Sequence, residues 1–255
     1  MDINGVIKNM AAAGVASISS KYTYSNSIFL LSHMRAGTSA LSNVLCSHEK
    51  ITGYGETHVT YSRSYSVGSL VVNQYRRGAL DGTADYYFDK ILHNRYDSDL
   101  PKQFFNSKCI FMVREPFATI QSIRKLFIAQ GSCEYGTDED AASYYIDRVS
   151  RLIRIWLSFP SDTKYGLTTE ALMYKPNEKI KEISDFLYIN PNLVNQYVIS
   201  KASLMPGAGD PLDCASYNSI ESRSEKVVSE QELSISEDTV NRVKAVYVKA
   251  KELIG

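Results

Sequence analysis

The chain has 255 residues, with 28 basic and 28 acidic side chains and a formal net charge of zero. That length is enough for one domain, residues 1–255, with a substantial core. The neutral balance offers no electrostatic footprint for nucleic acid, and no run of about 18 apolar residues predicts a membrane span.

Residues 1–26 read as a short helix and a polar lead-in. Asp2 and a small-residue run stand where a signal peptide would carry a Leu-rich core. The four cysteines, Cys46, Cys109, Cys133 and Cys214, include no C-x-x-C pair. They read as reduced thiols of a cytoplasmic protein, not as a disulfide framework or zinc site.

The informative stretch begins at Ile28-Phe29-Leu30-Leu31, an apolar run suited to a buried parallel strand. A polar turn, Ser32 to Ser39, follows, and Leu41, Val44 and Leu45 recur at helical spacing from a start near Thr38. Strand, glycine turn and helix N-terminus together make an anion cradle, because first-turn N–H groups lack intrahelical partners. Gly37 permits close backbone approach, and Arg35 adds a forked cationic donor. A Walker A loop would need a lysine just before Thr38 and a glycine five residues before Gly37; both are missing. The alternative for Thr38 or Ser39 is an ordinary helix cap.

Residues 51–58 return the chain toward this turn, 59–80 are partly helical, and 81–100 hold an apolar patch between turn signals. Residues 108–113, KCIFMV, form a second buried strand, ended by Arg114-Glu115-Pro116. Pro116 suits a first helical turn. Further helices are expected over about 138–158, 177–188, 191–201 and 236–253, with a weak strand at 164–169 and a long loop over 206–224. Strands separated by helices predict an α/β fold with a central parallel sheet flanked by helices. Ligands in such folds sit at the carboxyl ends of the strands.

The string Arg35-Ala36-Gly37-Thr38-Ser39 after a strand resembles the 5′-phosphosulfate loop of sulfotransferases that use 3′-phosphoadenosine 5′-phosphosulfate, PAPS. Arg114 and Ser122, eight residues apart, resemble that family's 3′-phosphate motif. The closest resemblance is to tyrosylprotein sulfotransferases. Arg35 is followed by His48 and then Gly55-Glu56-Thr57-His58, in ungapped register with that family's catalytic glutamate. His58 stands where the family has an arginine. Lys90, in Asp89-Lys90, is similar to a lysine preceding the family's second motif strand. His93 lies near the position of the catalytic histidine in cytosolic hydroxysteroid and phenol sulfotransferases.

The resemblance implies a P-loop-like sulfotransferase fold with PAPS as donor and no metal. It implies a carbohydrate, lipid or small-metabolite acceptor. Glu56 or His93 is then the base, with Glu56 favoured. Arg35 and Lys90 are the cations at the leaving oxygen, and Ser222, Arg223 and Ser224 are further 3′-phosphate candidates. Thr169 replaces the family's tyrosine before Glu170. A kinase-like phosphotransferase and a non-catalytic nucleotide-binding module are the competing readings.

Overall fold

A computed structural model describes residues 3–205, 217–222 and 228–255. Its strands are Ser27–Ser32 (β1), Ile51–Thr52 (β2), Tyr86–Ile91 (β3), Lys108–Val113 (β4) and Lys164–Thr168 (β5). They form one sheet in the order β2-β3-β1-β4-β5, with every pairing parallel. β1 is central, and all six of its residues are buried.

Parallel strands covered on both faces read as continuous apolar runs. Alternate side chains then serve opposite cores. Phe29, Leu31, Cys109 and Phe111 enter one core, and Ile28, Leu30, Ile110 and Met112 enter the other. The helices are Ile3–Ile18 (α1), Thr38–Cys46 (α2), Ser66–Arg76 (α3), Pro116–Ala129 (α4), Asp138–Ser158 (α5), Thr169–Tyr174 (α6), Pro176–Leu187 (α7) and Glu237–Ile254 (α8). Residues of α3, α4, α5 and α8 build the first core, whereas α2, α6 and α7 supply the second. The α1–α3 contact is close: a Cβ on Gly68 would fall 2.0 Å from the Ala12 carbonyl oxygen.

Two expectations are corrected. Residues 191–201 do not form a helix. Their polar groups pair elsewhere: Asn195 holds both backbone groups of Ile220 at 2.8 Å, and the Tyr197 amide donates to Asn218 at 2.8 Å. The apolar patch in 81–100 is a full strand, β3, between β1 and β2. Its Asp89-Lys90 pair interrupts the apolar pattern, and both side chains are buried against polar partners.

Candidate functional site

β1 lies between β3 and β4, so the loops leaving these three strands stand side by side at their carboxyl ends. The loop after β1 is kinked twice, with Arg35 at φ 62° and Gly37 at φ 76°. A left-handed arginine is uncommon and costs strain unless its surroundings hold it. Here they do. The Arg35 carbonyl accepts from Nη1 of Arg114 at 2.8 Å, and the Ala36 carbonyl accepts from Thr169 Oγ1 at 2.7 Å. Gly37 is the residue before α2 and supplies no capping side chain. Neither Thr38 nor Ser39 is the N-cap, and the N-cap Gly37 offers the first-turn amides of α2 no side-chain acceptor, as an anion cradle would require.

Thr169, which stands where the resembled family has a tyrosine, is buried and spends its hydroxyl on the loop. Arg114 ends β4, and Glu115 caps α4 by accepting from the amides of Phe117 and Ala118 at 3.0 and 2.7 Å. Ser122 lies two turns into α4 and accepts from Arg35 Nε at 2.9 Å. The two anion motifs recognised in the sequence therefore touch.

β3 brings the third element. Lys90 lies two residues beyond Phe88 and so shares its face, the α2 side of the sheet. Its buried ammonium lies 3.3 Å from Ser39 Oγ and 3.4 Å from Glu56 Oε1. Asp89 faces the opposite core and is buried. It accepts from the Thr57 amide at 2.8 Å, Thr57 Oγ1 at 2.6 Å, Tyr61 OH at 2.6 Å and the Lys90 amide at 2.9 Å. Burial pushes its carboxyl up to about 7, against the pull of these donors.

His93 follows β3 and shares the field of Glu56. Its ring packs near Tyr144 and Tyr96, at centroid distances of 5.7 and 6.2 Å, and His58 lies against Tyr96 at 5.4 Å. Burial lowers the His93 imidazole to about 4, so it is neutral at physiological pH. Both proposed bases thus border one aromatic-lined region. His48 lies apart and contacts the Pro191 carbonyl at 2.8 Å.

Sequence reasoning missed the frame behind these loops. α5 sends three side chains under them. Tyr144 OH donates to the Leu92 carbonyl and accepts from the Met34 amide, both at 2.8 Å. Tyr145 OH donates to the Arg114 carbonyl at 2.7 Å. Fully buried Arg148 donates to the carbonyls of Ser32 and Ile91 at 2.8 Å, and pairs with buried Asp97 at 2.6 Å. His33 was missed as well. Its Nε2 accepts from the Arg114 amide at 3.0 Å, so Nδ1 carries the proton and donates to the Met34 carbonyl at 2.9 Å. An arginine and tyrosines within an amphipathic helical period were the available signal, but periodicity alone assigns them to a solvated face.

Of the remaining candidates, Ser222 is exposed and donates to the Tyr174 carbonyl at 3.3 Å. Arg223 and Ser224 lie outside the described residues. Among the described residues, no three His, Cys, Asp or Glu side chains group as metal ligands, and no helix is long and apolar enough to cross a membrane.

No family model and no curated protein matches the sequence. Solved structures do match. The sulfotransferase domain from the curacin biosynthetic pathway superposes with TM-score 0.58 at 16% identity, over 86% of this chain and 96% of that one. The sulfotransferase domain of the Synechococcus PCC 7002 olefin synthase gives 0.53 at 17% identity, over 87% and 94%. Mouse sulfotransferase SULT7A1, complexed with PAP, gives 0.54 at 13% identity, over 95% and 91%. At such identities the likeness is one of fold: this chain has the sulfotransferase fold.

Proposed function

We propose that the protein is a sulfotransferase that moves a sulfuryl group from PAPS to a hydroxyl or amine of a carbohydrate, lipid or small-metabolite acceptor. One observation carries the reading. The buried Lys90 ammonium stands between Ser39, in the first turn of α2, and the Glu56 carboxylate. A cation, an anion cradle and a base are thereby gathered at the ends of adjacent strands. Structural relatives solved with PAP, the donor's product, lend the donor assignment weight.

The residues suit in-line displacement at sulfur. The first-turn amides of α2, with Thr38 and Ser39, cradle the phosphosulfate. The acceptor oxygen forms its bond to sulfur while the bond from sulfur to the bridging phosphate oxygen breaks. Charge grows on that bridging oxygen, where Lys90 and Arg35 are held in advance. The acceptor proton goes to Glu56, whose register with Arg35 resembles the tyrosylprotein type. Arg114 and Ser122 take the 3′-phosphate. The kinase-like alternative lacks a Walker lysine in the loop. The free thiols of Cys46, Cys109 and Cys133 fit a reducing, cytoplasmic setting.

The test is an acceptor panel with sulfur-labelled PAPS, beside melting shifts with PAP and with ATP plus Mg²⁺. Label transfer and a PAP shift are expected. Stabilisation by ATP with Mg²⁺ alone, without label transfer, overturns the reading.

A further inference from the structure

Asp89 joins the backbones of the two groups that the proposed reaction needs. It is joined by one peptide bond to Lys90. Its carboxylate also grips Thr57, the neighbour of Glu56. One oxygen, Oδ1, accepts from both the Thr57 amide at 2.8 Å and the Lys90 amide at 2.9 Å. The backbones that bear the base and the cation are thus tied through a single atom. The other oxygen, Oδ2, accepts from Thr57 Oγ1 and Tyr61 OH, both at 2.6 Å. About four lone-pair sites on an ionised carboxylate are thereby filled.

The local backbone makes this anchor directional. Gly55 at φ 112° and His58 at φ 56° bracket the pair Glu56-Thr57. Between these kinks Thr57 is buried toward Asp89 while Glu56 remains partly exposed and reaches Lys90. On β3 the alternation is the same: Asp89 points to one face of the sheet and Lys90 to the other. Asn73 holds the Thr57 carbonyl from α3 at 3.0 Å, and the Lys90 amide also meets the Gly55 carbonyl at 3.1 Å. These contacts fix the height of the segment. Asp89 is the side chain that accepts from both Thr57, the neighbour of Glu56, and Lys90.

We infer that Asp89 is a positioning residue which, through Thr57 and Tyr61, sets the Glu56 carboxylate against the Lys90 ammonium. Its effect on turnover rests on the sulfotransferase reading above; its effect on geometry does not. An asparagine keeps the volume and can still accept two N–H groups on its oxygen. Its NH₂ must instead donate to the Thr57 and Tyr61 hydroxyl oxygens, which rotate to accept, so two short charge-assisted bonds of 2.6 Å become longer neutral ones and the grip on the 56–57 segment loosens.

The test combines a crystal structure of Asp89→Asn with kinetics. The Glu56–Lys90 contact should open beyond its present 3.4 Å. Turnover should fall about 10²-fold, the penalty for a misplacement of about 1 Å, with little change in PAP affinity. In a Glu56→Gln background the same substitution should add almost nothing, because it acts through Glu56. An unchanged Glu56–Lys90 contact, or a full additional loss in that background, overturns the inference. If Asp89→Asn does not fold, Thr57→Val and Tyr61→Phe carry the test, and wild-type turnover in both overturns it. A wild-type enzyme that never transfers sulfur from PAPS strikes the functional reading instead, and the crystallographic distance still decides the role of Asp89.

Discussion

Arg35 Nε donates to Ser122 Oγ across 2.9 Å, joining the loop after β1 to the second turn of α4. The family resemblance implies that Arg35 meets the 5′-phosphosulfate and Ser122 the 3′-phosphate. The contact makes one polar seam of the two proposed subsites, closed from below by Arg114 Nη1 on the Arg35 carbonyl at 2.8 Å.

That seam predicts a requirement for the 3′-phosphate. Charge-assisted contacts contribute about 1.5–3 kcal/mol each. Calorimetry should therefore show PAP binding at least tenfold tighter than adenosine 5′-phosphate. Ser122→Ala should narrow the gap, by removing one partner of the phosphate and loosening Arg35 together. Equal affinities for the two nucleotides in the wild type would remove Arg114 and Ser122 from the binding site.

The choice of base is open to a direct comparison. Glu56→Gln preserves shape and removes the proton acceptor, so turnover should drop about 10²–10⁴-fold with PAP affinity nearly unchanged. His93→Ala is the contrasting variant. Burial lowers His93 to about 4, so its imidazole is neutral near neutral pH, whereas Glu56 holds the contact to Lys90 at 3.4 Å. His93→Ala should retain most activity. The reverse pattern, an active Glu56→Gln and a dead His93→Ala, assigns the proton to the imidazole.

Lys90 should matter most when the bridging oxygen becomes anionic. Lys90→Ala is expected to depress kcat far more than it weakens PAP binding. Normal turnover in this variant would exclude Lys90 from the transition state.

The parts legible in the sequence were those with a local signature. β1 and β4 are short apolar runs bounded by turns, and the Arg35–Ser39 and Arg114–Ser122 motifs follow them directly. β3 was hidden because Asp89 and Lys90 break its apolar pattern, although each is buried by a specific partner. The 191–201 segment carries apolar residues at helix-compatible spacing, but its polar groups pair with Ser47, Ser184 and residues 218–220 instead of within a helix. Arg148 could not be found locally at all. Its four acceptors, Ser32, Ile91, Asn94 and Asp97, lie more than 50 residues away along the chain.

His33 predicts a pH dependence of stability. Burial lowers it from 6.5 to about 3, with Arg114 and Arg148 adding repulsion. The unfolded chain then binds a proton between these values that the folded chain refuses. Its stabilising contribution is complete above pH 6.5 and shrinks as pH falls toward 3. His93 acts in the same direction, and Asp89, raised to about 7, acts in the opposite one. Comparing wild type with His33→Gln isolates the imidazole. Urea unfolding at several pH values should show the wild type losing about 1.4 kcal/mol more per pH unit than the variant between pH 6 and 4. Parallel curves would mean that His33 titrates normally.

Arg148 is the clearest test of the frame beneath the site. Its guanidinium and the Asp97 carboxylate are both fully buried and 2.6 Å apart. Replacing one partner of such a pair leaves the other charged and desolvated, a loss of about 3–5 kcal/mol. Arg151 Nε, 3.5 Å from Asp97 Oδ1, recovers part of that for the carboxylate. It does not replace the bonds to the Ser32 and Ile91 carbonyls. Arg148→Met should therefore lower unfolding stability by several kcal/mol, whereas Arg148→Met with Asp97→Asn should be less damaging than the single change. At low temperature, where the single variant still folds, PAP binding should weaken too, because the loops after β1 and β3 lose their common anchor. A variant of wild-type stability and affinity would show that these strand ends hold their places without the arginine.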